Sequence, residues 1–440
     1  MVADPIEAAS ARCSADPVEE SFPASAALHL TIIRHSLGWL AAANGVGVWL
    51  AALLVWPALE RWVSPFTYGR WMPLHTDWHL YGWCSLPIAG LFVRWLPPPD
   101  HRHANVARGC VALWSLALLA AGMSWVDGYA SGKLFLTSTG IFRFGLPTAL
   151  VLLWACLAAH LWHARHSLRP AAFVARGLLL SVLVVVPASL VWAGNTRVYP
   201  SVNPDSGGAT GASLLGSTLV VVALVGLLPW ALKIKPRRER PRKAWFAGYL
   251  LFSMGVFGVI DHGHVSHHQI AAIVGLATLL GWVPLLGDYL QGFAWDTPFR
   301  WRGALLSWWA LLVVTGFVTF LPGVSETLKF TNALVAHAHI AMAGFASALC
   351  FIILEALAPR DLHAAIGQAV AFGLWQWGSV VYVVALLALG WYESAEPGLL
   401  FSATPLTTLL YGVRLGAGVV MTAVSLWWFY RALSAQSSSQ

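Results

Sequence analysis

The sequence predicts an all-α integral membrane protein, a bundle of twelve transmembrane helices with both termini cytoplasmic. Three observations carry that prediction. Of the 440 residues 58% are hydrophobic and only 10% charged, against about a quarter charged in soluble domains. Apolar windows of roughly 18 to 25 residues, long enough to cross a hydrocarbon core, recur along the chain. The cations are distributed between alternate connections in the way membrane topology dictates.

The chain begins with MVADPIEAASARCSADPVEESFPASAA, which mixes acids, Pro and Ser and has no apolar centre. It reads as a tail and not as a cleaved signal peptide, so residues 1–35 form a polar N-terminal segment. Spans follow at about 36–59, 72–96, 109–125, 142–164, 172–194, 212–233, 243–260, 269–290, 303–321, 331–357, 363–390 and 408–433. The third and seventh are short and end in polar residues. Residues 36–433 thus make one transmembrane domain, and 434–440 a short C-terminal tail. The longest outer connection, GNTRVYPSVNPDSGGATGAS, is a loop rich in Gly, Pro and Ser.

With the N-terminus inside, the inner segments collect Arg34, Arg94, Arg102, Arg108, Arg165, Arg169, Arg300, Arg360 and the seven cations of KIKPRRERPRK. Outer segments hold Arg61, Arg70, Lys133, Arg143, Arg197 and Lys329, with Arg414 at a helix mouth. That asymmetry requires an even number of crossings with both termini cytoplasmic. The net charge of +7 is therefore topology facing membrane lipid, and no nucleic-acid partner is expected. The five cysteines are scattered without a CxxC or CxxCH pair, which argues against a disulfide framework, a zinc site or a covalently attached haem.

Within this frame the histidines gain depths. His75, in GRWMPLHTDWHLYGW, lies about one turn below the outer end of the second span, and His337 and His339, in LVAHAHIAMAGF, one to two turns below the outer end of the tenth. DHGHVSHH, at the end of the seventh span, reaches the same zone. At about 100° per residue, positions 337 and 339 point about 200° apart. They cannot serve one compact mononuclear site. Each can be an axial ligand to a different flat macrocycle, with His75 as a second ligand to one of them; the other keeps a position open for a small gas. The plainer alternative is interhelical hydrogen bonding.

These segments resemble subunit I of the haem-copper oxidase superfamily, especially its cbb-type oxidase branch and the related nitric oxide reductases. GRWMPLHT is similar to that branch's low-spin haem b segment, FTNALVAHAHIAMAGF to its helix with two histidines flanking one residue, and YGVRLGAGVVMTAVSLWWFYRA to its last helix. The resemblance implies two haems b, with His75 and His339 as axial ligands of the low-spin haem and His337 as proximal ligand of the high-spin haem, where oxygen or nitric oxide is reduced. It implies Arg70 as a partner of the haem propionates, Met72 standing where a second arginine is common. It further implies a cytochrome c-type or cupredoxin-type electron-donor subunit and a bacterial inner membrane.

The sequence departs from the family at the second metal, copper or non-haem iron. The sixth span has no histidine, and the family's adjacent pair falls near Val259-Ile260. The histidines present, His262, His264, His267 and His268, come slightly later, and can ligate copper, iron or zinc or belong to a solvated loop. Ser253 stands near the oxidase tyrosine position, with Tyr249 a turn further back. The expectations are therefore a gas-reducing subunit I, or a dihaem electron carrier or gas sensor without the second metal. A histidine-lined metal transporter would leave the matching depths of His75 and His339 unexplained. Asp288 and Glu355 are candidate proton inlets, Trp71 and Trp78 candidate members of an interfacial belt.

Overall fold

A computed structural model of the chain describes residues 23–195, 198, 211–237, 241–262, 269–295, 299–396, 398–399 and 404–436. Most of the long polar loop, much of the basic stretch before the seventh span, and His264, His267 and His268 lie outside the described residues. Among the described residues the only β features are two isolated bridges. Twelve long helical segments follow one another. They are α1 (Pro23–Val55), α2 (residues 68–95), α3 (His101–Val126), α4 (Gly145–His163), α5 (Pro170–Ala193) and α6 (Gly211–Ala231). The second half comprises α7 (Pro241–Val259), α8 (Ile270–Gln291), α9 (Phe299–Phe320), α10 (Asn332–Leu357), α11 (Ala369–Ala395) and α12 (Pro405–Ser434).

Ten helices among the described residues are long and apolar enough to cross a membrane. The chain is thus a multi-pass membrane protein. Segments α2 and α7 fall outside that set for different reasons. The apolar part of α7, Lys243–Val259, rises only about 26 Å at 1.5 Å per residue. Segment α2 is long enough, but Arg70, His75, Asp77, His79 and Arg94 dilute its hydropathy.

The largest shift from the expected boundaries is at the start. Helix α1 begins at Pro23, inside the stretch read as polar tail, because SAALHLTIIRHSL after that proline is apolar on the side that meets the bundle: Leu28, Ile32 and Ile33 are fully buried. Its Arg34 donates from Nε to the Ala432 carbonyl at 3.0 Å and from Nη2 to that of Ala435 at 2.7 Å. A cation placed on the unsatisfied carbonyls of a helix C-terminus is favourable, and here it holds the start of α1 to the end of α12. Trp78 is likewise not in an interfacial belt. It is half-buried between α1 and α3, bonded to the Leu118 carbonyl, with its ring tilted against Trp39 at 5.1 Å.

The core sits between α1, α2 and α9 to α12, where Trp301, Phe351, Trp375 and Trp428 pack ring on ring at 4.2 to 6.1 Å. Helix α11 approaches the start of α10 so closely that a Cβ at Gly390 would lie 2.2 Å from the Ala333 nitrogen. One turn on, the buried Glu393 accepts the Asn332 backbone N–H at 2.7 Å and the Asn332 amide. A carboxylate from α11 thus satisfies donors that the first turn of α10 leaves open, fixing the helix that carries the paired histidines.

Candidate functional site

His75 on α2 and His339 on α10 face each other, their rings 6.2 Å apart and 28° from parallel. His75 Nδ1 lies 2.9 Å from the Ala43 carbonyl and His339 Nδ1 2.8 Å from that of Val335. A carbonyl accepts only, so each Nδ1 carries the proton and each Nε2 keeps its lone pair. That is the outer-shell arrangement of metal-ligating imidazoles. Two metal–nitrogen bonds of about 2 Å plus the half-widths of two rings span about 6 Å, so the separation fits one metal shared by both. Gly47 makes room: a Cβ there would meet His75 Cε1 at 2.6 Å.

Both ligand helices change winding beside their histidines. In α2 a π-helical stretch, Trp78–Cys84, follows the α-helical Tyr68–Asp77; in α10 another, Ile340–Ala346, follows Asn332–His339. π turns widen the backbone and free carbonyls, and they cluster at functional sites. Side chains take up the slack: Ser85 Oγ donates to the Leu80 carbonyl and Ser347 Oγ to that of Met342, each at 2.8 Å. Trp375 Nε1 donates to the Ala343 carbonyl at 3.1 Å. The buried Trp83 Nε1 then donates to Ser347 Oγ at 2.8 Å, tying one π turn to the other.

Between these helices and α1, α11 and α12 lies a cavity of about 430 Å³, within the usual range for cofactor sites. His75, His79 and His339 share its wall with Leu50, Leu54, Met72, Met342, Tyr382, Tyr411, Met421 and other side chains, mostly apolar. Four buried polar residues, Asn44, Asn332, Ser379 and Arg414, also line it, and two of them are placed to meet acidic groups. Arg414 on α12 donates from Nε to the Tyr382 hydroxyl at 2.7 Å, and Asn44 Nδ2 has no partner. A flat, largely apolar metal macrocycle with acidic substituents suits such a wall: imidazoles for its metal, hydrocarbon for its faces, a guanidinium and an amide for its carboxylates. Arg70 is placed elsewhere, donating from Nη1 to the Val126 carbonyl at 2.9 Å beside Gly128. The loop after α3 lays Leu134 and Phe135 against the cavity. Asp77 holds that loop by accepting from Thr137, and Tyr81 by donating to the Phe135 carbonyl.

His337 faces the opposite way, towards α9, where its Nδ1 lies 3.0 Å from Thr315 Oγ1 and its ring stands over Gly316. The two α10 histidines therefore face different sides, as their spacing predicts. The described residues at the α7 end make other contacts. Ile260 is buried, its Cδ1 where a Cβ on Gly275 would fall, and Val259 is 85% exposed. Tyr249 donates its hydroxyl to the Thr278 carbonyl at 2.7 Å, and Ser253 accepts from Trp282 Nε1 at 3.2 Å. His262 rests on the Phe257 ring at 4.5 Å. No group of three or more His, Cys, Asp or Glu stands close enough to hold a metal ion among the described residues.

A haem-copper terminal oxidase, solved as a dimer by cryo-EM, aligns with 94% of this chain and 85% of its own, with a TM-score of 0.54 and 14% identity. The chain has the haem-copper oxidase fold. No protein-family model and no curated protein matches the sequence, so the haem-copper oxidase fold is visible here in shape while the residues have diverged. The sequence counted Arg414 only as a cation at a helix mouth; its burial in α12 is what marks it, since an intramembrane cation is a site signal by default. Gly47, Asn44 and Tyr382 carried no such signal, because their roles depend on approaches between distant helices.

Proposed function

We propose that the protein is a haem b-binding, subunit I-like member of the haem-copper oxidase superfamily, nearest the cbb-type and nitric oxide reductase branch. It has twelve spans and both termini in the cytoplasm of a bacterium. The observation that carries the reading is the facing pair His75 and His339, 6.2 Å apart with both Nδ1 atoms tied to carbonyls. In this reading the pair holds low-spin haem in the cavity, and His337 holds high-spin haem on the α9 side of α10. Haem supplies a one-electron redox centre and, where one axial position is free, a place for a gas to bind.

The chain's own residues do the rest. The Ala43 and Val335 carbonyls orient the imidazoles, Arg414 and Asn44 receive the carboxylates, and Leu50, Leu54, Met342 and Met421 exclude water. With haem bound, the short His337–Ala338–His339 link would keep the two redox centres close, so that electrons donated by a cytochrome c-type or cupredoxin-type subunit could reach oxygen or nitric oxide. A second reading, a dihaem electron carrier or gas sensor, is favoured by Ile260 filling the space at Gly275, where the family's second metal would need ligands.

The purified protein should contain about two haems b and show a low-spin signal in its reduced-minus-oxidised spectrum. His75→Ala should lose that signal and retain carbon monoxide binding, whereas His337→Ala should do the reverse. Retention of the low-spin signal in His75→Ala sinks the pairing. Metal analysis finding haem iron without copper or extra iron decides for the second reading.

A further inference from the structure

A second histidine cluster lies far from the cavity. His160, near the end of α4, points its Nδ1 at the Leu96 carbonyl just beyond α2, 3.0 Å away. Leu96 is 21 residues past His75 in α2, so the two sites are separated by roughly 30 Å of helix. Asp100 caps α3 by accepting both the backbone N–H and the ring Nδ1 of His103 at 2.9 Å. Those bonds hold the Asp100 carboxyl down at about 2. One turn beyond His160, His163 turns its Nδ1 to the Ala159 carbonyl at 2.8 Å. The His103 ring then lies 4.6 Å from that of His163 and 6.0 Å from that of His160.

Each of the three rings has Nδ1 occupied, one by a carboxylate and two by carbonyls, which leaves Nε2 as the free nitrogen of each. Oxygen acceptors behind imidazoles are the usual outer shell of a metal-ligating set. The decisive atom is His160 Nε2. His160 is 2% exposed, and this nitrogen is buried with no hydrogen-bond partner, an arrangement that costs free energy unless something fills it. The rings meet edge to face at 67° and 68° and do not yet enclose an ion. His163 is exposed and the His103 side chain is 25% exposed, so neither ring is enclosed by packing.

We propose that His103, His160 and His163 bind a divalent transition-metal ion of the imidazole-preferring class, zinc or copper, entering from water at the α3–α4 end. The ion supplies the missing partner of His160 Nε2 and clips α3 to α4 beside the end of α2. Helix α5 packs mainly on α4, so the clip steadies that flank of the bundle as well. The site uses none of the residues assigned to haem.

The test uses untagged, detergent-purified full-length protein stripped with chelator and titrated with Zn²⁺ in one arm and Cu²⁺ in the other. Wild type should take up one equivalent of at least one ion with a raised unfolding temperature, as expected of a ligand that binds only the folded state. A His103→Ala/His163→Ala double variant should lose both effects, having changed only water-facing rings. His75→Ala should keep both, which separates this site from the haem reading whatever that variant's spectrum shows. Uptake by the double variant equal to wild type, or no uptake by wild type in either arm, overturns the proposal.

Discussion

At the scale of single residues, the site depends on small side chains as much as on ligands. A Cβ at Gly47 would sit 2.6 Å from His75 Cε1 and 2.8 Å from Nδ1, and the ring cannot retreat without losing the Ala43 carbonyl. Gly47→Ala should therefore destabilise the fold by about 1–3 kcal/mol, as overpacking does. It should also weaken the low-spin signal, read by thermal unfolding and difference spectroscopy on one sample. An unchanged spectrum and melting point would show that His75 is not held as described. The two α10 histidines stood out in the sequence because two imidazoles in an apolar run are expensive and 200° apart. Gly47 was not, since nothing in NGVGVWL announces which glycine meets another helix. Arg70 shows the reverse failure: a plausible motif position whose side chain the fold directs to the α3 terminus.

At the scale of elements, α2 and α10 behave as one unit joined by Trp83 and Ser347. Ser347→Ala removes the donor to the Met342 carbonyl and the acceptor for Trp83 Nε1, leaving a buried indole N–H unpaired. The expected cost is about 1–3 kcal/mol, seen as a lower unfolding temperature, with Ser347→Thr restoring most of it. Equal melting of the Ala variant and wild type would mean that the link between the π turns is not structural. Helix positions were readable from hydropathy, but the start of α1 was not, since Pro23 and the residues after it were grouped with an acidic tail. The π turns were invisible, because their sequences, WHLYGWC and IAMAGFA, are ordinary span composition.

At the scale of the whole molecule, Arg34 holds the first part of α1 to the end of α12, so the first and last helices meet at one end of the bundle. In the proposed topology that end faces the cytoplasm. A green fluorescent protein fused to either terminus should therefore fluoresce in a bacterium, and an alkaline phosphatase fused there should stay inactive; active phosphatase at either end would reverse the topology. The chain shares the haem-copper oxidase fold at 14% identity, as expected where apolar windows and a few close approaches specify the shape and many sequences satisfy both.

The π turns have one more consequence, for anyone numbering faces along these helices. Each holds one residue more than the α turn it replaces, so side chains beyond it are rotated by about 100° from where uniform winding puts them. Helix α10 thus has two angular frames, one set by His337 and His339 and another governing Ser347 to Leu357. A mutational scan that extrapolates from the histidines across the turn will aim at the neighbouring face, and Glu355 must be counted from Ser347.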